Sequence, residues 1–480
     1  MRRRARRRPP AIVMGYRRPA MNGATPPTLH GYFLTITVEN LRCFRGAPET
    51  LDLSDGHGRP APWTIVLGDN GMGKSTILQV LASLLALHPG GSMKSLALGQ
   101  PQRSVDELVL VANPYVLRGE VALSSGIDFS SEATTQVLVR GGVDMLTGDG
   151  VIERGVQHAN PEGTPLEFHL FAYGALRRLP RNGALSHEPA GPVDSLFDTE
   201  ARLTNPEEWF LQRDYAANNP RNTPAQREAA AAARDLLVRA LTGQLLPDVS
   251  ALEPVTRDAR SGATELYAHT PFGRVRVADL GLGYQSTLAW VVDLAARMVA
   301  AYPDAPNPLA MPAVCLVDEI DLHLHPRWQR TLLRELSRHF PNVQFVVTAH
   351  SPLIVQAAPE ANVAVLRRDG DRVVIDNDPT VVRNWRVDQV LTSDLFGLEG
   401  ARAPEVDRLV ARRDRLLAKP TLTPADEVAI RELDARIGDL PQGESPEQQE
   451  AMALILRAAK ELRAPHAAAS GKAVAKGRRR

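Results

Sequence analysis

Lysine is scarce in this sequence. Only six of its 56 basic residues are lysine, the rest being arginine. Cysteine is scarcer still, with Cys43 and Cys315 alone, too few for a disulfide framework or a cysteine-based zinc site; such usage fits a reducing cytosol. No cluster of metal-ligating residues is visible. No unbroken apolar run reaches the roughly 18 to 20 residues that cross a bilayer, and the best candidate, Ile77 to Leu87, is too short. A disulfide scaffold, a zinc finger and a helical membrane protein are excluded, and a cytoplasmic location with no membrane partner is expected. Aromatic residues are few, at 5%, yet 44% of the 480 residues are hydrophobic. That is enough for a sizeable core and, by length, about two to four domains.

Net charge is nearly absent, with 56 basic against 55 acidic residues. The balance hides a segregation. No acidic residue precedes Glu39, whereas Arg2, Arg3, Arg4, Arg6, Arg7, Arg8, Arg17 and Arg18 do. After Glu461 come Arg463, Lys472, Lys476, Arg478, Arg479 and Arg480. Between these arms 42 basic residues face 55 acidic ones, so an acidic body lies between two basic ends of the kind that contact phosphates. The acid-free start has the composition of a transit peptide but is proline-rich and lacks an amphipathic pattern. It is expected to be a disordered leader, with Met14 and Met21 as alternative starts.

From Phe33 the sequence alternates apolar and polar residues as a half-buried strand does, and a second strand leads through a glycine loop into a helix. Residues 105 to 170 read as short strands between glycine-rich turns, and 223 to 246 as a helix opened by Thr-Pro. A strand at Arg274 to Val277, a glycine turn at Gly281 to Gly283 and a helix through Met298 follow. Ala313 to Val317 and Gln344 to Thr348 have the length and β-branched content of buried parallel strands, with a helix at 327 to 339 between them. Beyond 385 the pattern changes to charged helices near 403–418, 423–437 and 445–463.

The strongest chemical signal is Gly68-Asp69-Asn70-Gly71-Met72-Gly73-Lys74-Ser75-Thr76. This G-x4-G-K-S loop stands between a strand and a helix, the setting a phosphate-binding loop requires. Its glycines let successive N–H groups face the β- and γ-phosphates of ATP, Lys74 adds a full positive charge, and the Ser75 hydroxyl can ligate Mg²⁺. A run of apolar residues ending in Asp318-Glu319 offers the second carboxylate site. It sets Asp318 beside the Mg²⁺ shell and Glu319 where it can polarise an attacking water. Gln344 to Pro352 delivers His350 at the end of a strand, where ligands bind in parallel sheets.

Together, GDNGMGKST, LVDEIDLHLHP and FVVTAHSP resemble the ABC-type ATPases that include the SMC, RecF and OLD proteins. The likeness covers roughly residues 32–110 and 265–365. It implies an α/β P-loop ABC-type head with an inserted helical and strand lid block and a C-terminal helical tail. In such proteins two heads bind ATP between them, so a homodimer or higher homo-oligomer through the heads is implied. The resemblance gives His350 a contact to the γ-phosphate and Asp321 the D-loop position, with His323 and His325 beside it, and sets the turn from Asn40 to Gly46 near the nucleotide. It also assigns Gly281, Gly283, Tyr284 and Gln285 to the signature segment that faces the partner's nucleotide. Here the segment departs from Leu-Ser-x-Gly-Glu/Gln, because Gly281 replaces the serine. Losing that hydroxyl removes a charge-assisted hydrogen bond worth roughly 1.5 to 3 kcal/mol. No Q-loop glutamine is evident, although Phe171 to Arg178 reads as a strand and loop in that region.

The expected organisation is a basic disordered leader (1–31), the first lobe of the head with the P-loop (32–110), an insertion (111–264), the second lobe (265–384), a helical tail domain (385–462) and a basic disordered tail (463–480). The separation of 244 positions from Lys74 to Asp318 exceeds what a transporter head needs, which favours the SMC, RecF and OLD branch. OLD nucleases continue into a Toprim domain. Here charged helices follow His350, so no nuclease domain is expected in this chain. The tail from Asp388 to Glu405 is similar to that of the PtuA ATPases of Septu and retron anti-phage systems, which work with a separate HNH nuclease, PtuB. The function implied is a defence ATPase that regulates such a nuclease acting on nucleic acid. The alternatives are a RecF-like repair ATPase and a nucleotide-gated scaffold with little hydrolysis.

Overall fold

A computed structural model describes residues 29–39, 41–57, 59–83, 108–117, 137–143, 150–156, 166–167, 169–177, 189–258, 263–379, 385–398, 402–419 and 421–438. The expected leader up to residue 28, the third tail helix at 445–463 and the basic tail at 463–480 lie outside them.

The chain opens with β1 (Leu29–Glu39), β2 (Glu49–Asp52), β3 (Trp63–Gly68) and α1 (Lys74–Ser83). Next come β4 (Leu108–Leu117), β5 (Val137–Val143), β6 (Gly150–Val156), β7 (Leu166–Glu167) and β8 (Leu170–Tyr173). Helices α2 (Pro206–Asn218) and α3 (Pro224–Ala240) precede a meander of β9 (Ala251–Asp258), β10 (Ala263–Thr270) and β11 (Gly273–Arg276). Then follow α4 (Leu282–Ala301), β12 (Ala313–Val317), α5 (Pro326–His339), β13 (Val343–Thr348) and α6 (Pro352–Ala357). The first compact unit ends with β14 (Asn362–Asp369), β15 (Arg372–Asp376) and α7 (Val387–Leu391). A second unit begins at Leu398 and holds α8 (Pro404–Leu417) and α9 (Pro424–Ile437).

The site is organised by a sheet of order β15-β14-β3-β13-β12-β8. All its neighbouring pairs are parallel except β14 with β15. Every residue of β12, β13 and β8 is buried, as expected for parallel strands covered on both faces. Alternation then assigns the faces. Val66, Val314, Leu316 and Val346 pack with α1 and β1, while Ile65, Leu67, Val317, Phe345 and Val347 pack with α4 and α5. Full burial of each such Val, Leu or Ile contributes roughly 1.5–3 kcal/mol.

Local chemistry sets the helices. Pro224 follows the Thr223 cap of α3, whose side chain exchanges hydrogen bonds with Gln226 in a capping box, and α3 ends in a single π turn at Leu241–Leu245. In α5, Trp328, Leu332, Leu333 and Leu336 form one buried face, and the His325 ring caps the helix through Arg327 N–H. The strand expected from Phe33 is β1. Its alternation holds at Ile36 and Val38, whereas Tyr32 and Phe33 are both buried because the register with β4 shifts between Phe33 and Thr35.

Two boundaries differ from the sequence expectation. Strand β8 falls inside the stretch expected as an insertion, yet it is an edge strand of the central sheet, with Tyr173 opposite Val317. The head also runs on through residue 397, past the expected break at 385. Val390 and Leu395 are buried in its core, and Arg367 pairs with Asp394 at 3.2 Å. In the second unit Lys419 bonds Asp426 at 2.6 Å, and the Thr423 capping box opens α9.

Among the described residues no helix is long and apolar enough to cross a membrane. None of their His, Cys, Asp and Glu side chains forms a group of three or more that could hold a metal.

Candidate nucleotide site

Strands β3, β13 and β12 lie side by side and point the same way. Their C-terminal ends therefore bring Gly68, His350 and Asp318 to one edge of the sheet, where open α/β sheets bind ligands. The loop after β3 turns on Gly68 (φ 145°), Gly71 (φ 80°) and Gly73 (φ 90°). A Cβ at Gly68 would lie 2.8 Å from the Leu366 carbonyl oxygen, and one at Gly73 would lie 2.6 Å from Cys43 Sγ. Asp69, Asn70, Gly71 and Ser75 are exposed, while Lys74 and Thr76 are buried.

The Lys74 ammonium donates to the carbonyl oxygens of Gly68 (2.7 Å) and Asp69 (3.0 Å). Burial lowers its pKa below the ordinary lysine value, and Asp318, Glu319, Asp69 and Asp321 oppose that shift. The turn after β1 packs on the same loop. Arg42 Nη1 donates to Thr76 Oγ1 (3.0 Å) and Gln79 Oε1 (2.9 Å), and Cys43 Sγ faces the Met72 carbonyl at 3.5 Å. The segment expected near the nucleotide thus packs on the glycine loop, and Asn40 itself lies outside the described residues.

Ser75 Oγ donates to Asp318 Oδ2 at 2.7 Å. The other oxygen, Asp318 Oδ1, accepts from Thr348 Oγ1 at 2.6 Å, and Thr348 Oγ1 in turn accepts the Glu319 N–H at 2.7 Å. Glu319 is half-buried and sits at φ 47°, a left-handed backbone that costs a non-glycine residue roughly 1–2 kcal/mol. Long-range hydrogen bonds hold it there. Arg177 Nη1 donates to the Asp318 carbonyl at 2.6 Å and Nη2 to the Glu319 carbonyl at 2.8 Å. The Arg177 guanidinium is buried, and its Nε has no partner among the described residues. Burial lowers its pKa to about 10 against the pull of Asp318, Glu319 and Asp321, so it stays cationic at neutral pH.

The next turn is tied to the His350 loop. Asp321 accepts the His350 backbone N–H at 3.1 and 3.3 Å, leaving the His350 residue exposed. Gln329 of α5 donates to the Asp321 (3.4 Å) and Leu324 (3.0 Å) carbonyls and accepts from Ser351 Oγ (2.6 Å).

The signature segment is anchored elsewhere in the head. Gly281 caps α4 without a side-chain bond and is exposed beside the exposed Leu282. The Tyr284 hydroxyl instead donates to the Pro247 carbonyl (2.8 Å) and contacts Asp248 Oδ2 at 3.1 Å; burial, and after it Asp248, pushes its pKa up to about 12. Gln285 Nε2 bonds the carbonyls of Ala278 and Leu280. Gly283 is required by packing, since a Cβ there would lie 2.5 Å from the His323 carbonyl oxygen.

The structure thus gathers Gly68 to Thr76, Asp318, Glu319, Asp321 and His350 into one site. It turns the Tyr284 and Gln285 side chains into their own head. Sequence reasoning missed Arg177, Thr348 and Gln329. The one signal for Arg177 was the missing Q-loop glutamine, because Arg177 follows the strand where that glutamine was sought.

A family model described as "AAA domain, putative AbiEii toxin, Type IV TA system" matches residues 196–356. The chain is 26% identical to a Septu protein PtuA of Bacillus mycoides (strain KBAB4) over 410 residues, covering 84% of this chain and 50% of that protein. Over 92 residues it is 38% identical to the Retron Vc95 probable ATPase of Vibrio cholerae serotype O1 biovar El Tor, covering 19% of this chain and 18% of that protein. The chain thus spans about half or less of the curated relatives it matches. A solved SMC head bound to the C-winged helix domain of ScpA aligns with 14% identity and a TM-score of 0.42, covering 72% of this chain and 97% of that one. Phosphate loop and carboxylate pair stand beside a match to an AAA-domain family model over residues 196–356 and a similarity, over most of this chain, to a PtuA protein.

Proposed function

We propose that this chain binds and hydrolyses ATP between paired heads and thereby regulates a separate HNH-type nuclease that acts on nucleic acid in anti-phage defence. The observation that carries the hydrolytic reading is the chain of bonds from Ser75 through Asp318 and Thr348 to Glu319. It sets a carboxylate beside the phosphate loop on a backbone held from both sides. Lys74 now satisfies itself on loop carbonyls, and the same ammonium would turn to the β- and γ-phosphate oxygens. The Glu319 carboxylate orients the attacking water and accepts its proton, while the His350 ring donates to the γ-phosphate. The exposed N-terminus of α4 at Gly281 offers backbone N–H groups to the partner head's nucleotide.

The Ser75 hydroxyl and the Asp318 carboxylate are hard oxygen donors already within hydrogen-bond distance of each other, a set that fits Mg²⁺. Bound there, the ion would neutralise charge on the β- and γ-phosphates.

The defence role is supported by similarity to a Septu protein PtuA and to a retron ATPase. Purification from its own host tests it. We expect an HNH nuclease to co-purify and phage resistance to disappear with Lys74→Ala. Phosphate release with no nuclease and unchanged resistance would leave an ATPase without the defence role. Gly281 favours a second reading, a nucleotide-gated scaffold, because its cap lacks the hydroxyl. ATP retained with no phosphate release, with or without DNA, would select that reading.

A further inference from the structure

We propose that Arg177 is a positioning residue for ATP hydrolysis, using its guanidinium to fix the backbone turn that aims the Glu319 carboxylate. The inference rests on the reading of Glu319 as the residue that polarises water. Three observations carry it.

The first is placement. Strand β8 pairs in parallel with β12, and the Asp318 N–H donates to the Tyr173 carbonyl at 2.8 Å. The chain leaving β8 therefore starts beside the carboxylate pair. At Gly174 a Cβ would lie 2.2 Å from the Ser195 carbonyl oxygen, so the chain there packs too closely for any side chain. Three residues later the Arg177 side chain reaches the turn.

The second is what the guanidinium bonds. It donates to two successive main-chain carbonyls, Asp318 and Glu319, instead of to the adjacent carboxylates. Two N–H groups in one rigid plane define the orientation of two consecutive peptides, which a single point charge cannot do. The peptide between them belongs to a residue in the left-handed region, where the side-chain direction follows the backbone. The Glu319 N–H is meanwhile held by Thr348, so the residue is gripped on both sides.

The third is that this placement is unfavourable by itself. A guanidinium is buried, with Nε unpaired among the described residues, a desolvation that an apolar side chain of similar length would avoid. The other two nitrogens point at the one turn that bears the acidic pair. Bonding only carbonyls leaves both carboxylates free for their own partners.

The test compares wild type, Arg177→Met, Arg177→Lys, Glu319→Gln and the double variant Arg177→Met/Glu319→Gln in the full chain. ATP affinity is read by equilibrium titration, kcat and KM by phosphate release. With Arg177→Met we expect kcat to fall about 10- to 100-fold, the scale of a misplacement of the order of 1 Å, with ATP affinity within about twofold. Arg177→Lys, which can bond one carbonyl, should fall between. If Arg177 acts through Glu319, the double variant is no slower than Glu319→Gln alone. Multiplying losses, a wild-type kcat in Arg177→Met, or an equal fall in affinity and kcat would each overturn the proposal. Should Arg177→Met fail to fold, Arg177→Lys alone and combined with Glu319→Gln applies the same criterion. Wild-type turnover in Glu319→Gln would instead reject the hydrolytic reading, whatever Arg177 does.

Discussion

Asp321 holds the loop that carries His350: its carboxylate accepts the His350 backbone N–H at 3.1 and 3.3 Å. The turn after the acidic pair and the end of β13 are thereby joined across 29 positions of sequence. A change in one loop is felt by the other. Asp321→Ala removes the acceptor, whereas Asp321→Asn keeps one oxygen. A hydrogen bond to a charged group is worth about 1.5–3 kcal/mol, and about 1.4 kcal/mol is tenfold in rate. We expect Asp321→Ala to lower kcat about 10- to 100-fold with little effect on ATP affinity, and Asp321→Asn to lower it less. Phosphate release alongside nucleotide titration measures both, and equal losses would mean the charge matters instead of the bond.

Thr348 joins the two acidic residues by donating to Asp318 and accepting from Glu319 N–H. Thr348→Val leaves both groups without that partner, while Thr348→Ser preserves it. The valine variant should lose about 1–3 kcal/mol of stability, the cost of leaving a buried polar group unpaired, and most of its turnover. Serine should restore turnover. Chemical denaturation and phosphate release on both variants check this, and a valine variant as stable and active as wild type would remove Thr348 from the site.

Gly283 lies in the first turn of α4, where alanine would ordinarily stabilise by about 0.5–1 kcal/mol. Its Cβ would lie 2.5 Å from the His323 carbonyl oxygen, a backbone atom that cannot swing away. Overpacking of this kind costs about 1–3 kcal/mol, so the clash outweighs the helix preference. Gly283→Ala should lower the melting temperature and slow turnover while ATP still binds. A raised melting temperature would show that the turn at His323 yields.

Burial holds the Lys74 pKa below the ordinary 10.5, despite Asp318, Glu319, Asp69 and Asp321. Binding of ATP needs the ammonium, so affinity should fall as pH rises through that lowered value, earlier than for an ordinary lysine. Stability runs the other way. Between the folded and unfolded values the unfolded chain binds more protons, so Lys74 adds stability to the nucleotide-free protein as pH rises. Nucleotide titrations and denaturation curves across the alkaline range test both signs. Lys74→Met should flatten the stability term and abolish ATP binding.

The residues of the phosphate loop could be found from sequence because their demands are local. Gly71 and Gly73 stand where the backbone turns to positive φ, and short β-branched runs such as β12 and β13 suit burial on both faces. The signature segment was partly legible. Gly281 does open α4, but Tyr284 and Gln285 bond Pro247, Ala278 and Leu280, and a linear motif does not say which side of a helix faces its own core. The same limit hid the boundaries near β8 and α7, whose residues join the head through packing with distant strands.

By itself the sequence determined the phosphate loop, the acidic pair at a strand end and the strand that leads to His350, since each follows from the steric and apolar needs of a few consecutive residues. Only the tertiary structure decided that Arg177, 141 positions before Asp318, grips that residue and Glu319. That bond depends on β8 lying beside β12, and strand neighbours are chosen by the packing of the whole sheet, which no short window of sequence contains.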